Sequence, residues 1–512
     1  MIRVILLKTV FLILTINLCS QPEIVWQKCF GGTSGEQFSE IKLTNNNEII
    51  FTGSTSSEDG DVYGNHGESD YWIGMIDENG SLLWQKCLGG SKWDYGNSLD
   101  YCSDDSFIVA GQTDSNDGDI TSFIGYIDYW VVKTDQSGNI EWEKCYGGSL
   151  ADRAFAVKQT IDNGFIIAGF TNSNDVHVSG NHGEEDSWVV KTDSLGNIEW
   201  QKCLGGSDQD WANDISITNN GYYVLNYSES NDGDVNGNHG GHDFWIVKLD
   251  LAGNIIWQKS LGGSALDQGN SIITTNDGGC VAIGRTYSND GDVSNNTGES
   301  DYWIIKLDSL ANLEWEKCFG YDLNNSIDHG HDIQQTTDEG FIITGYSTVN
   351  TCFYSWDFWI IKLNSYGELE WEKCTGGTSQ DFAYSITQDN YGNIYIGGNT
   401  RSNDGDVSGN HGWVDSWLIK LDDFTDIEKI DSLQSSSSPF PNPSSKTITI
   451  ILNHNSFEEQ VIFIYDFTGA IVESLKFFSC DRIRVDVSSY RKGLYFYKSQ
   501  TDTSISGRFI KK

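Results

Sequence analysis

Residues 186–206 read DSWVVKTDSLGNIEWQKCLGG. Asp, then Ser or an aromatic, then Trp opens this module, and twelve residues later a second Trp heads W-x-K-C. The first Trp recurs at 72, 130, 188, 245, 303, 359 and 417, and the second at 26, 84, 142, 200, 257, 315 and 371. The period is 56 to 58 residues. A fixed period of this length marks an array of supersecondary units that bury their faces against one another.

Each unit divides into four strand-like segments. In the third unit these are residues 154–160 after Asp152, 165–171, 187–192 and 198–203. Turn residues separate them at Asp162-Asn163-Gly164, at 194–197 and at Gly205-Gly206, and a polar loop spans 172–185. Short apolar runs bounded by Gly, Asn and Asp are strand and hairpin signals. Seven units of four antiparallel strands predict an all-β chain, a seven-bladed β-propeller. Both Trp sets then read as packing between blades, where one buried ring contributes about 2–3 kcal/mol. The ends of the array support a closed ring. Residues 23–29 (EIVWQKC) form a fourth strand with no blade of their own, and in the last unit Lys429 stands where the second Trp belongs. The N-terminal strand fills that vacancy and removes an open sheet edge.

Composition agrees. Gly is abundant (55), Pro rare (4), and Trp, Tyr and Phe number 18, 23 and 24, which suits strands and tight turns. The formal net charge of −41 argues against nucleic acid, whose phosphates require Lys and Arg. Residues 1–20 read as a signal peptide, with Arg3 and Lys8 flanking a short apolar run. No other stretch is apolar enough to span a bilayer. Cys29, Cys87, Cys145, Cys203, Cys318 and Cys374 occupy one place in the repeat, where the fifth copy has Ser260. Disulfides pair different places, so these read as small buried side chains.

The elements G-G, D-G-G-x-x-x-x-G (276–284) and K-x-D-x-x-G-N-I-x-W (191–200) resemble long-period propeller repeats of secreted bacterial proteins, over about residues 23–430. The D-x-x-G-N-I-x-W element is also similar to quinoprotein repeats and to the Asp-box of sialidases. The period is long for the first. The second activity needs an arginine triad, and Arg153, Arg285 and Arg401 hold non-equivalent places in their units. Beyond the propeller, assigned to 21–430, residues 431–438 read as a Ser-rich linker. Residues 439–512 resemble the type A C-terminal sorting domain of the type IX secretion system. The matching elements are Pro441-Asn442-Pro443, IYDFTG at 464–469, GLYFY at 493–497 and FIKK at 509–512. The resemblance implies a small β-sandwich read by the export machinery, and a secreted or outer-membrane surface location.

Three constellations offer chemistry. The loop between second and third strands reads S-[EN]-D-G-D-[VI] in five units, with Asp59 and Asp61, Asp117 and Asp119, Asp232 and Asp234, Asp290 and Asp292, Asp404 and Asp406. Alternate carboxylates about a Gly turn are oxygen ligands suited to calcium, the one cofactor the sequence offers. The competing reading is an Asx-turn that caps backbone amides. His66, His239 and His411 follow three such loops, His182 follows the third unit's loop, which has lost the motif, and all four read as turn residues with no fixed carboxylate partner. The second constellation is Glu36, Asp94, Asp152, Asp210, Asp267, Asp328 and Asp381, one before each innermost strand. These form either a carboxylate ring at the channel mouth or caps on the Gly-Gly turns. The third is Asp328-His-Gly-His-Asp332, a metal-ligand set by residue type. No catalytic motif with a known mechanism is present. The expectation is a monomeric, non-catalytic binding or adhesion module for a glycan or an extracellular protein. The alternative is a polysaccharide hydrolase or lyase acting at the channel mouth.

Overall fold

The computed structural model describes residues 22–321, 326–348, 355–422, 446–451, 460–466, 471–477, 482–499 and 506–511. The signal peptide and linker of the sequence reading lie outside these residues. The chain forms two units, Pro22–Asp426 and a C-terminal unit beginning at Ile427. No helix among the described residues is long and apolar enough to cross a membrane.

The first unit holds seven four-stranded antiparallel sheets. Blade one runs Glu36–Leu43, Ile49–Thr55, Asp70–Ile76 and Leu82–Leu88, from channel to rim. Blade three runs Asp152–Gln159, Phe165–Thr171, Asp186–Thr192 and Ile198–Leu204. Blade seven takes Asp381–Gln388, Ile394–Thr400 and Asp415–Leu421 from the end of the array, and its outer strand is Ile24–Phe30 from the start. Cys29 faces Trp417 across that seam, as Cys203 faces Trp188 within blade three. The ring closes as the sequence implied.

A buried apolar layer fills each gap between neighbouring blades. The layer between blades two and three contains Ile108, Tyr129 and Val131 from one, and Phe165, Ile167 and Trp188 from the other. The layer at the seam contains Phe30, Tyr395 and Leu418 with Phe38, Phe51 and Trp72. The third-strand Trp side chains are 0–3% exposed. Their indole N–H groups donate to the Gln or Glu of W-[QE]-K, as Trp188 does to Gln201 at 2.7 Å and Trp417 to Gln27 at 2.8 Å. The fourth-strand Trp side chains are half-buried and reach the next blade. Trp200 donates to the Leu251 carbonyl, and its ring lies where a Cβ on Gly253 would stand, 2.9 Å away. Gly253 also has φ +78°, so only glycine fits there without strain.

Cys29, Cys87, Cys145 and Cys203 are buried thiols, and burial pushes Cys87 and Cys203 up to about 12. Cys374 departs from the expected buried thiol: it is disulfide-bonded.

The second unit pairs Thr447–Ile451 with Arg482–Asp486. A separate four-stranded sheet has the order Ile471–Phe477, Gln460–Asp466, Gly493–Ser499, Ser506–Lys511. Ile448, Ile450, Ile462, Ile464, Val485 and Tyr497 form its core.

Candidate functional site

Every blade's inner strand carries a β-bulge at one place, between Ala154 and Ala156 in blade three and between Gly330 and Asp332 in blade six. A bulge inserts one unpaired residue and redirects its side chain. The inserted residues are Ser39, Asn97, Phe155, Asn213, Asn270, His331 and Tyr384. Three of them bridge blades: Asn97 donates to the Ala154 carbonyl at 2.8 Å, Asn213 to Gly269 at 2.7 Å and Asn270 to Gly330 at 2.7 Å.

Past the bulge, side chains from one blade accept amides from the next. Leu99 N–H donates to Glu40, Ile272 to Asp214 and Ile386 to Asp332, all at 2.8–2.9 Å. Ser271 donates toward Asp214 (2.9 Å) and Asp332 (3.2 Å), linking the two carboxylates. Glu40 also meets Lys42 at 2.9 Å and Lys158 at 3.3 Å. Burial works to raise its carboxyl, but the two ammonium groups outweigh it and hold it down at about 2. Asp214 and Asp332 are raised by burial. These groups line a polar channel cavity of about 670 Å³.

The acidic residues that open the inner strands do not line this cavity. All seven are buried in their own blades, and six of them cap the turn before them. Gly90 N–H donates to Asp94, Gly148 to Asp152, Gly206 to Asp210, Gly263 to Asp267, Gly377 to Asp381 and Gly32 to Glu36, at 2.7–2.9 Å. The carboxylate-ring reading is thereby corrected: full burial beneath the turns keeps these groups away from the channel.

The Asp that opens each third strand lies across the same turn. A Cβ on Gly89 would stand 2.7 Å from both Asp70 Oδ1 and Asp94 Oδ2, so a side chain cannot enter between the two carboxyls. Burial, with help from the neighbouring carboxyl, raises Asp70, Asp128 and Asp243 to about 6. In four blades a histidine grips this Asp: His66 with Asp70 at 2.6 Å, and His182 with Asp186, His239 with Asp243 and His411 with Asp415 at 2.7 Å. The expectation that these histidines lack a fixed carboxylate partner is wrong. The partner is four residues on, and His-x-x-x-Asp is the signal that would have found it.

The Asp-Gly-Asp loops fold onto the same turns. The first carboxylate accepts the amide after the Gly-Gly pair: Asp59 from Thr33, Asp117 from Ser91, Asp232 from Ser207, Asp290 from Ser264 and Asp404 from Thr378, at 2.7–2.8 Å. Asp61 and Asp119 accept from Gly31 and Gly89 at 3.2 and 3.1 Å, Asp292 from Gly262 at 3.4 Å, and Asp406 from the Thr375 hydroxyl at 2.9 Å. Asp234 donates its backbone N–H to Gly205 at 2.9 Å. Asp175 makes the first contact with Ser149 at 2.8 Å although its unit has lost the motif. Among the described residues no three His, Cys, Asp or Glu side chains converge to hold a metal ion. Asp328-His-Gly-His-Asp332 is dispersed in the same way. Asp328 is buried at the sheet end, Asp332 binds the blade-seven amide, and His329 faces Arg285 at 3.0 Å. Burial and that guanidinium hold the His329 imidazole neutral, down at about 2.

The face where the inner strands begin is rich in rings. Phe170 and Trp211 stack at 4.5 Å, Tyr346 and Trp356 at 5.2 Å, Trp93 and Tyr95 at 5.8 Å. Trp93 and Trp413 are 44% and 69% exposed. Arg153, Arg285 and Arg401 lie at this same end, over Phe170 (5.9 Å), Tyr287 (5.7 Å) and Trp413 (5.3 Å).

Residues 373–406 match a β-propeller repeat family, and residues 438–512 match a family described as the secretion system C-terminal sorting domain. The chain is a β-propeller repeat protein with a type IX secretion sorting domain. It is secreted or held at the cell surface. No curated protein matches the chain. Among solved structures, this propeller protein is similar to Drosophila Plexin A in complex with Semaphorin 1b, at 9% identity over 78% of this chain and 87% of that one, TM-score 0.42. It is similar to Sqt1 from Chaetomium thermophilum at 10% identity over 78% and 98%, TM-score 0.41. It is also similar to a Bacteroides caccae protein of unknown function at 9% identity over 59% and 89%, TM-score 0.36.

Proposed function

We propose that the exported propeller is a non-catalytic binding module that takes a glycan or protein ligand on the face where its inner strands begin. The observation that carries this reading is the ring-rich surface of that face, with Trp93 and Trp413 open to solvent while the third-strand Trp side chains of the repeat are enclosed between blades. Aromatic planes with an apolar body and a polar edge suit sugar rings and protein side chains alike. The sorting domain directs the chain to the type IX export machinery.

The competing reading, a polysaccharide hydrolase or lyase, needs carboxyl groups free to reach a scissile bond. The channel carboxylates Glu40, Asp214 and Asp332 instead hold amides of the neighbouring blade, which supports binding over catalysis. The test is a glycan and matrix-protein array probed with the mature chain and with Trp93→Ala and Trp413→Ala. Ligand retention that both substitutions weaken is expected. Product release from a polysaccharide panel would overturn the non-catalytic reading.

A further inference from the structure

The geometry points to an anionic saccharide chain, bearing carboxylate or sulfate groups, as the ligand of this face, gripped through Arg153, Arg285 and Arg401. This rests on the face being the binding surface proposed above. The three are the only arginines among residues 22–426, and all stand at one end of the sheets. Arg153 is the second residue of its inner strand, Arg285 the penultimate residue of its second strand, and Arg401 follows the second strand of blade seven. Those positions lie at the same end of their sheets because first and second strands pair antiparallel, as Gln268 with Arg285 shows.

The partners of these guanidinium groups set them apart. Acidic residues outnumber basic ones 73 to 32 in the chain, and four of the six strand-three lysines are saturated with them, Lys248 and Lys420 lying over Tyr223 and Tyr395 instead. Lys133, Lys191, Lys306 and Lys362 each meet one Asp and one Glu at 2.7–3.0 Å. None of these three arginines takes part in an ion pair among the described residues. Each is oriented by uncharged groups instead. Arg285 donates to Gln268 at 2.9 Å and faces His329, Arg401 donates to Gln380 at 2.7 Å, and all three lie over rings. Two acids on this face are engaged elsewhere: Glu185 accepts from Trp211 at 2.7 Å and Glu229 meets His242 at 2.7 Å.

A guanidinium fixed by an aromatic plane, with a neutral acceptor beside Arg285 and Arg401, keeps donors for an oxyanion, and its fork matches two oxygens of a carboxylate or sulfate. The arginines belong to blades three, five and seven, so a whole blade separates each from the next. Packed sheets lie about 10 Å apart, so one small anion cannot bridge them, whereas a polymer with repeated charges can. The rings beneath and beside the arginines offer stacking surfaces for its sugars.

The test titrates the mature chain with polygalacturonate, its methyl ester, dextran sulfate, neutral dextran and poly-glutamate, at 50 and 300 mM salt. Polygalacturonate or dextran sulfate should bind, and the stronger of the two identifies the anionic group. Affinity should fall about tenfold or more for each of Arg153→Gln, Arg285→Gln and Arg401→Gln, as expected for a lost charge-assisted hydrogen bond, and should fall again at the higher salt. Arg401→Lys should recover only part of the loss. Melting temperatures of the variants report whether the fold is intact. Binding of the neutral ester or dextran that Trp413→Ala weakens, and the Arg→Gln variants do not, would overturn the anionic ligand while keeping the face. Arginine-dependent binding of poly-glutamate alone would replace the saccharide with an acidic peptide. Binding of no probe would overturn the inference, leaving the array to decide the wider reading.

Discussion

Blades three and six share their strand plan and register, yet only blade three keeps the full set of turn contacts. In blade three Asp152 caps Gly148, accepts from Ser173, and lies beside the Asp175 clasp. In blade six the turn is Gly320-Tyr321, and Tyr321 packs its ring against Trp359 at 5.5 Å instead. Burial drives Asp328 up to about 7, with Asp301 adding to it and Ser347 pulling it back. The blade-six inner strand also presents His329 and His331 to Arg285, Tyr346 and Tyr384. The contrast separates two sets of residues. Those shared by all copies hold the ring, and those that depart from the plan shape the face.

The comparison can be broken most severely at the seam. Deleting residues 22–30 removes the outer strand of blade seven and should abolish a single cooperative melt by circular dichroism. A variant that melts like the parent would refute closure. Next come the inter-blade rings. Trp188→Ala and Trp359→Ala should each cost about 3–5 kcal/mol in denaturant unfolding, because both blades share this layer. A loss confined to one would show that blade six is held differently.

The turn carboxyls come third. Asp328 binds its proton more tightly folded than unfolded, so its contribution is full below about pH 4 and is lost as pH rises through about 7. The protein should therefore be more stable at pH 5 than at pH 8. Asp328→Asn should flatten that dependence more than Asp152→Asn, read from melting temperature against pH. The smallest effect belongs to the loops. Asp117→Ala and Asp175→Ala should each lower the melting temperature only slightly, as the loss of one exposed turn-capping bond does. Calcium or chelator should leave the parent's melting temperature unchanged. A calcium-dependent rise that Asp117→Ala removes would make the loops cation sites.

Most of the ring was legible because its signals are local and repeated seven times. The segment 165–171 matches the observed Phe165–Thr171 strand. Inner strands begin earlier than the apolar pattern suggests, since Asp152 pairs its backbone with Thr171 although its side chain turns to the Gly-Gly amides. The bulges were invisible, because an inserted Asn or Phe does not disturb a strand-like pattern. The arginines looked unrelated because their positions within the repeat differ, and only antiparallel pairing brings the start of one strand beside the end of the next. In the sorting domain the final strand, Ser506–Lys511, was read only as a terminal motif, and its polar Ser, Gly and Arg explain why.

The pairing of Ile24 with Leu421 also has a consequence in time. Among the described residues, the first strand to be synthesised pairs only with a strand almost four hundred residues downstream. Until that partner arrives, Ile24–Phe30 remains an unmatched edge, and blade seven remains an incomplete sheet able to capture a foreign strand. Contacts of such long range form slowly. A chain that ends before Asp415–Leu421 therefore lacks the strand that Ile24–Phe30 pairs with and cannot complete the last blade.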